Sequence, residues 1–292
     1  MSSLLPPQPP DVQQLLARAT RLETPCGEGR MVWHRWLPVG AAGSGKHRPV
    51  VLLHGGSGSW THWLRNIEAL VGSGREVLAA DLPGFGDSAL PPRGRDADAL
   101  PEPVEAGLRG LLGDGACDMV GFSFGGMVAG LLAAQFPARA ARLMLVAAPG
   151  LGLAVRNSIT LTAWRHLCDP AEREAVHRSN LAALMLHRPE AISALALRLH
   201  TDNTLRDRMK GRRLAYTDIL ARALESVSCP VFAIYGREDA LYRQRQEALA
   251  PALQAAPDFR GMHWVEGAGH WVQFEQPEAF DALLLALLDQ QD

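Results

Sequence analysis

The stretch Asp118-Met119-Val120-Gly121-Phe122-Ser123-Phe124-Gly125-Gly126 carries more information than any other in this 292-residue chain. A short apolar run that reads as a buried strand ends in G-x-S-x-G, and the apolar pattern from Gly126 to Phe136 continues as a helix. A serine held in a sharp strand-to-helix turn needs small residues two before and two after it, because side chains there would collide with the turn. Gly121 and Gly125 meet that need. The turn presents Ser123 as a nucleophile and the backbone N–H of Phe124 as a donor to the oxyanion that its attack creates.

Working outward, short apolar strands are expected at Arg30–Leu37, Pro49–Leu53, Glu76–Ala80, Arg142–Ala147, Val231–Tyr235 and Arg260–Val265. Helix-patterned segments such as Pro277–Leu288 separate most of them, which predicts an α/β fold with a mainly parallel, doubly wound sheet. Near the N-terminus, Asp11 is expected to cap a helix with Val12, Leu15, Leu16 and Ala19 on one face. Gly40 to Arg48 reads as a hairpin loop. The strand rhythm fails between Gly152 and Val227, where Glu190–His200 and Asp207–Leu224 read as Arg-rich helical patterns. The expected organisation is a core in two parts, 1–151 and 228–292, interrupted by a helical cap at 152–227.

A serine needs a base and an orienting acid, and both occur downstream in the order Ser, Asp, His. Val231–Tyr235 runs into Gly236-Arg237-Glu238-Asp239, which puts Asp239 at a strand's carboxyl end, with Glu238 as its competitor. Met262–Val265 runs into Glu266-Gly267-Ala268-Gly269-His270, a Gly-rich loop that could bring the His270 imidazole to Ser123; His263 is the weaker alternative. The second oxyanion donor is expected in His54-Gly55-Gly56-Ser57-Gly58, with Gly56 the candidate and His54 a structural residue.

With these residues assembled, the chain resembles the α/β-hydrolase fold enzymes over nearly its whole length. The matching segments are His54-Gly55-Gly56, Asp81-Leu82-Pro83-Gly84-Phe85-Gly86-Asp87-Ser88, the turn around Ser123, Gly236 to Asp239 and Gly269-His270. The resemblance implies Ser-His-Asp hydrolysis of a small-molecule substrate with no metal or organic cofactor. A narrower likeness is to the meta-cleavage-product hydrolases, which cut a carbon–carbon bond beside a ketone. It rests on Gly269-His270-Trp271-Val272-Gln273-Phe274-Glu275 and on Trp60 to Asn66, and it sets Arg198 where that family holds the dienoate. This chain departs from that family at Phe122 and His62, where an Asn is usual at both places. Phe122, His62, Arg198 and Trp271 are therefore the expected substrate-binding residues. The expected activity is cleavage of a small, largely apolar ester, with carbon–carbon hydrolysis of a dienoate diketone as the alternative. A non-catalytic receptor on the same fold is the reading of another class.

Composition narrows the rest. Hydrophobic residues make up 47% and charged residues 21%, enough apolar mass for a large core. The net charge of −2 offers no field for nucleic acid or an anionic bilayer. Cys26, Cys117, Cys168 and Cys229 form no C-x-x-C pair, so no zinc or redox site is indicated. Met1 to Leu5 has no positive n-region and is followed by Pro6, Pro7, Pro9 and Pro10, and no apolar run approaches the roughly 20 residues of a membrane span. A cytoplasmic protein without a membrane partner is expected, with a homo-oligomer left open. Gly40 to Lys46 mimics a phosphate loop, but His47 stands where Ser or Thr should bind magnesium.

Overall fold

In the computed structural model, which describes residues 8–38, 47–154 and 159–290, eight strands form one sheet. They are β1 (Thr20–Cys26), β2 (Gly29–Trp36), β3 (Val50–Leu53), β4 (Val77–Asp81), β5 (Cys117–Phe122), β6 (Ala140–Val146), β7 (Val231–Gly236) and β8 (Phe259–Val265). Their order is β1-β2-β4-β3-β5-β6-β7-β8, antiparallel at the β1–β2–β4 end and parallel elsewhere. Every residue of β3, β4, β5 and β7 is buried, as strands covered by helices on both faces must be. The expected strands are thus present within two residues of their predicted ends. β1 was not foreseen: it is a sheet edge whose only buried positions are Thr24 and Cys26, so it lacks the apolar alternation that marks a strand.

The chain leaves β3 for β4 on one side and then crosses to β5 on the other, so the direction of winding reverses between neighbours β3 and β5. In open α/β sheets the crevice at such a reversal, beyond the strands' carboxyl ends, is where ligands bind. Leu53 pairs with Gly121, which brings the loops after β3 and β5 side by side.

The helix Phe124–Gln135 is apolar all round and buried along most of its length. The sheet covers one side of it. Helix Ile219–Leu224 covers another, close enough that a Cβ on Gly130 would collide with the Leu220 side chain.

Some local expectations need correction. Asp11 does not cap: the first helix is Pro10–Ala17, with Pro9 at the N-cap and no side-chain cap bond, because Pro10 already starts it and Asp11 falls inside the first turn. The pattern at Glu190–His200 resolves into a 3-10 turn at Pro189–Ala191 and a helix at Ala194–Leu205 capped by Ser193. Asp207–Leu224 is not one helix. Residues 206–213 are irregular with Gly211 at φ 83°, and they are followed by a 3-10 turn at Leu214–Tyr216 and the helix Ile219–Leu224. Residues 152–227 also contain a helix at Pro170–Asn180. The hairpin loop and phosphate-loop mimic at 40–46 and the start of the Pro-rich leader lie outside the described residues.

Candidate active site

Ser123 sits at φ 50° between β5 and its helix, a left-handed conformation that costs a non-glycine residue free energy and must be held by its surroundings. The turn tolerates nothing larger than its glycines. A Cβ on Gly121 would lie 2.5 Å from the Gly125 carbonyl oxygen, and one on Gly125 would collide with the Leu53 carbonyl. The Ser123 N–H donates to Val146 O at 2.7 Å, pinning the turn to β6.

From this turn a hydrogen-bonded chain runs through three residues. Ser123 Oγ is 2.9 Å from His270 Nε2, and His270 Nδ1 is 2.8 Å from Asp239 Oδ2. A carboxylate only accepts, so Nδ1 carries the proton and Nε2 is left to accept from the serine hydroxyl. Asp239 follows β7, and its other oxygen accepts the Leu241 N–H at 2.9 Å. His270 follows β8 and is buried. Glu238 points elsewhere and pairs with Arg243, and His263 is half-buried on β8 and does not line the cavity. Beside Asp239, the buried hydroxyls of Tyr235 and Tyr242 both donate to Ala148 O, at 2.9 and 3.0 Å. Burial, then Asp239 for Tyr235, and the neighbouring phenol and Asp239 for Tyr242, push both phenols up, so they stay neutral donors.

Phe124 is the first residue of its helix, so its N–H has no partner within that helix and lies at the positive end of the dipole. Gly56 lies on the loop after β3, and both residues line a cavity of about 840 Å³ with Ser123 and His270. His54 anchors this loop from beneath: its Nε2 accepts the Leu82 N–H at 2.9 Å, and its Nδ1 meets Gly55 O at 2.7 Å. Complete burial holds its pKa down to about 4.

The expected binding residues divide. Phe122 and His62 line the cavity. His62 accepts the Gly55 N–H at 3.2 Å and meets Phe122 edge-on, and burial keeps its pKa well below the usual range. Trp271 does not reach the cavity: it is fully buried behind His62, donates its indole N–H to His62 O at 3.0 Å and stacks on Phe274. Arg198 is not brought to the cavity either, because its Nε pairs with Asp202 one helical turn away at 2.7 Å. The cavity instead takes Arg212, His200 and Asp207 from residues 152–227. A single helix over 207–224 gives Asp207 and Arg212 no reason to face the cavity, and the Gly211 between Lys210 and Arg212 is the sign of a break there; His200 sits in the helix Ala194–Leu205, where no sequence signal sets it apart. His200 is neutral there, held by burial to about 4. Among the described residues no group of three or more His, Cys, Asp or Glu could hold a metal ion, and no helix is long and apolar enough to cross a membrane.

A family profile described as the alpha/beta hydrolase family matches residues 50–283. The chain belongs to that family. Among curated relatives, the hydrolase is 30% identical to the dihydrolipoyllysine-residue acetyltransferase component of an acetoin cleaving system from Pseudomonas putida, over 89% of this chain and 67% of that one. It is 24% identical to a 2-hydroxy-6-oxononadienedioate/2-hydroxy-6-oxononatrienedioate hydrolase from a Pseudomonas species, over 86% and 91%. Among solved structures, the esterase RhEst1 from a Rhodococcus species shares the hydrolase's fold with a TM-score of 0.72, at 22% identity over 93% of this chain and 99% of that one.

Proposed function

We propose that this hydrolase uses Ser123, His270 and Asp239 as nucleophile, base and orienting acid to cleave a small, largely apolar ester or related acyl compound. The observation that carries this reading is the unbroken hydrogen-bonded chain from Asp239 through His270 to Ser123, which opens into the cavity. Ser123 Oγ attacks the substrate carbonyl while its proton passes to His270 Nε2, and the N–H groups of Phe124 and Gly56 receive the oxyanion. His270 then returns the proton to the leaving oxygen, and water releases the acyl group by the same path. Asp239 stabilises the imidazolium formed in between. Residues 152–227 serve as a cap whose Leu161, Leu184, Met185 and Tyr216 select the acyl or aryl part. Four cysteines without disulfides fit a reducing, cytoplasmic compartment.

The Pseudomonas relative favours a second reading, carbon–carbon hydrolysis with the same three residues. That reading asks for a cation to hold a dienoate carboxylate; Arg198 does not line the cavity, and Arg165, Lys210 and Arg212 are the cations that do. The test is one panel of p-nitrophenyl esters and yellow ring-fission diketones, assayed on wild type and Ser123→Ala. Ester turnover lost in Ser123→Ala supports the first reading; bleaching of the diketone with inert esters replaces it by the second. Undiminished turnover in Ser123→Ala refutes both.

A further inference from the structure

We infer that Asp207 and Arg212 are positioning residues that hold the oxyanion loop in place through Ser57. The inference deepens the proposed function and rests on Ser123 being the nucleophile.

Ser57 directly follows Gly56, and its φ of 52° is a conformation a serine leaves unless it is held. What holds it comes from Asp207 and Arg212, which line the same cavity. Ser57 Oγ donates to Asp207 Oδ2 at 2.5 Å and accepts from Arg212 Nη2 at 3.2 Å. Asp207 and Arg212 are themselves locked together by two parallel bonds of 3.0 Å, and Met209 contributes its N–H to Asp207 Oδ1 and its carbonyl to Arg212 Nη1. The four terminal N–H groups of Arg212 are therefore matched by Asp207, Met209 and Ser57. This guanidinium acts as a brace and not as a vacant anchor for a substrate anion.

The position of the brace gives it a consequence for the chemistry. The Arg212 guanidinium lies 5.1 Å from the centre of the Phe85 ring and 5.5 Å from that of Phe124, and its Nη2 is 3.5 Å from where a Cβ on Gly56 would stand. It thus touches the surroundings of both residues proposed to bind the oxyanion. With the brace gone, Ser57 loses two partners and its reason to keep a positive φ, and the N–H of Gly56 turns away from the oxyanion. The ground state makes little use of that N–H, so the loss falls on the chemical step and not on substrate binding.

The test is the rate at which a fluorophosphonate labels Ser123, because its P=O oxygen occupies the oxyanion position and no substrate needs to be known. In Arg212→Met the maximal labelling rate should fall about tenfold to a hundredfold with the half-saturating probe concentration unchanged. Arg212→Lys should not rescue it, since an ammonium lacks the planar fork. Ser57→Ala removes one hydroxyl and leaves the Asp207–Arg212 pair intact; it should slow labelling several-fold with an unaltered melt. Should Arg212→Met fail to fold, Ser57→Ala decides alone. Wild-type labelling of Ser57→Ala, or a change confined to half-saturation, overturns the inference while leaving the nucleophile assigned. Labelling that persists in Ser123→Ala overturns the inference and the proposed function together.

Discussion

Glu275 Oε2 accepts the backbone N–H of Gly269 at 2.8 Å, one residue before His270. The same buried carboxylate accepts the N–H of His187 at 3.0 Å and of Arg188 at 2.6 Å, so one side chain ties the histidine loop to residues 152–227. Glu275→Gln substitutes an amide donor for one of these acceptor oxygens and leaves a buried N–H unmatched. Stability should fall by about 1–3 kcal/mol. Turnover should fall as well, because Gly269 no longer fixes the approach of His270. Thermal melts and steady-state kinetics on the variant check both.

Asp239→Asn keeps the shape of the side chain but removes the charge that stabilises the imidazolium. A loss on the order of 10⁴ in kcat is expected from comparable Ser-His-Asp sites. Glu238→Gln should leave kcat near wild type, since Glu238 turns toward Arg243. The opposite pattern in the kinetics would transfer the orienting role to Glu238.

Acid should unfold this protein early. His54, His62 and His200 stay neutral in the fold, the first and last down to about pH 4 and His62 well below its usual range, all chiefly through burial. In the unfolded chain each takes a proton near its ordinary 6.5. The unfolded state therefore binds more protons between these values, and the stability these residues contribute is complete above pH 6.5 and lost as pH falls toward 4. For His54 alone the loss amounts to roughly 3 kcal/mol. Melting temperature followed from pH 7.5 to 4.5 should drop steeply, and His54→Gln should flatten that drop.

Asp281 acts with the opposite sign. Burial raises its carboxyl to about 7 despite a 2.8 Å bond from Asn66 Nδ2. The folded state then holds a proton that the unfolded chain has lost, so this residue's contribution weakens as pH rises from about 4 through 7. Asp281→Asn should melt close to wild type at pH 5 and above it at pH 8. A difference that does not grow with pH would show that the carboxyl is already ionised in the fold.

The site was legible where a single residue type in a fixed turn dictates chemistry: Ser123 between its glycines, Asp239 after β7 and His270 after β8 stand at the carboxyl ends of strands whose apolar runs mark them plainly. It was illegible where position depends on tertiary pairing. Arg198 is an expected anion anchor only through the resemblance to the meta-cleavage-product hydrolases, yet its helical neighbour Asp202 takes the guanidinium. Trp271 stands beside His270 in sequence, but the backbone turns the indole under His62. Arg212 lies in an irregular run of charges without periodicity, and only the three-dimensional approach of Ser57 gives it a role. β1 was hidden because an exposed edge strand needs no apolar alternation.

The helix behind Ser123 has no polar face, and Leu220 lies against its Gly130 while Met127 and Leu131 are buried along the same element. A truncated form without residues 152–227 would lose Leu220 and expose the apolar helix around Gly130 to water, directly behind Ser123. Shortening the chain by that stretch would therefore call for a polar residue where Gly130 now faces Leu220.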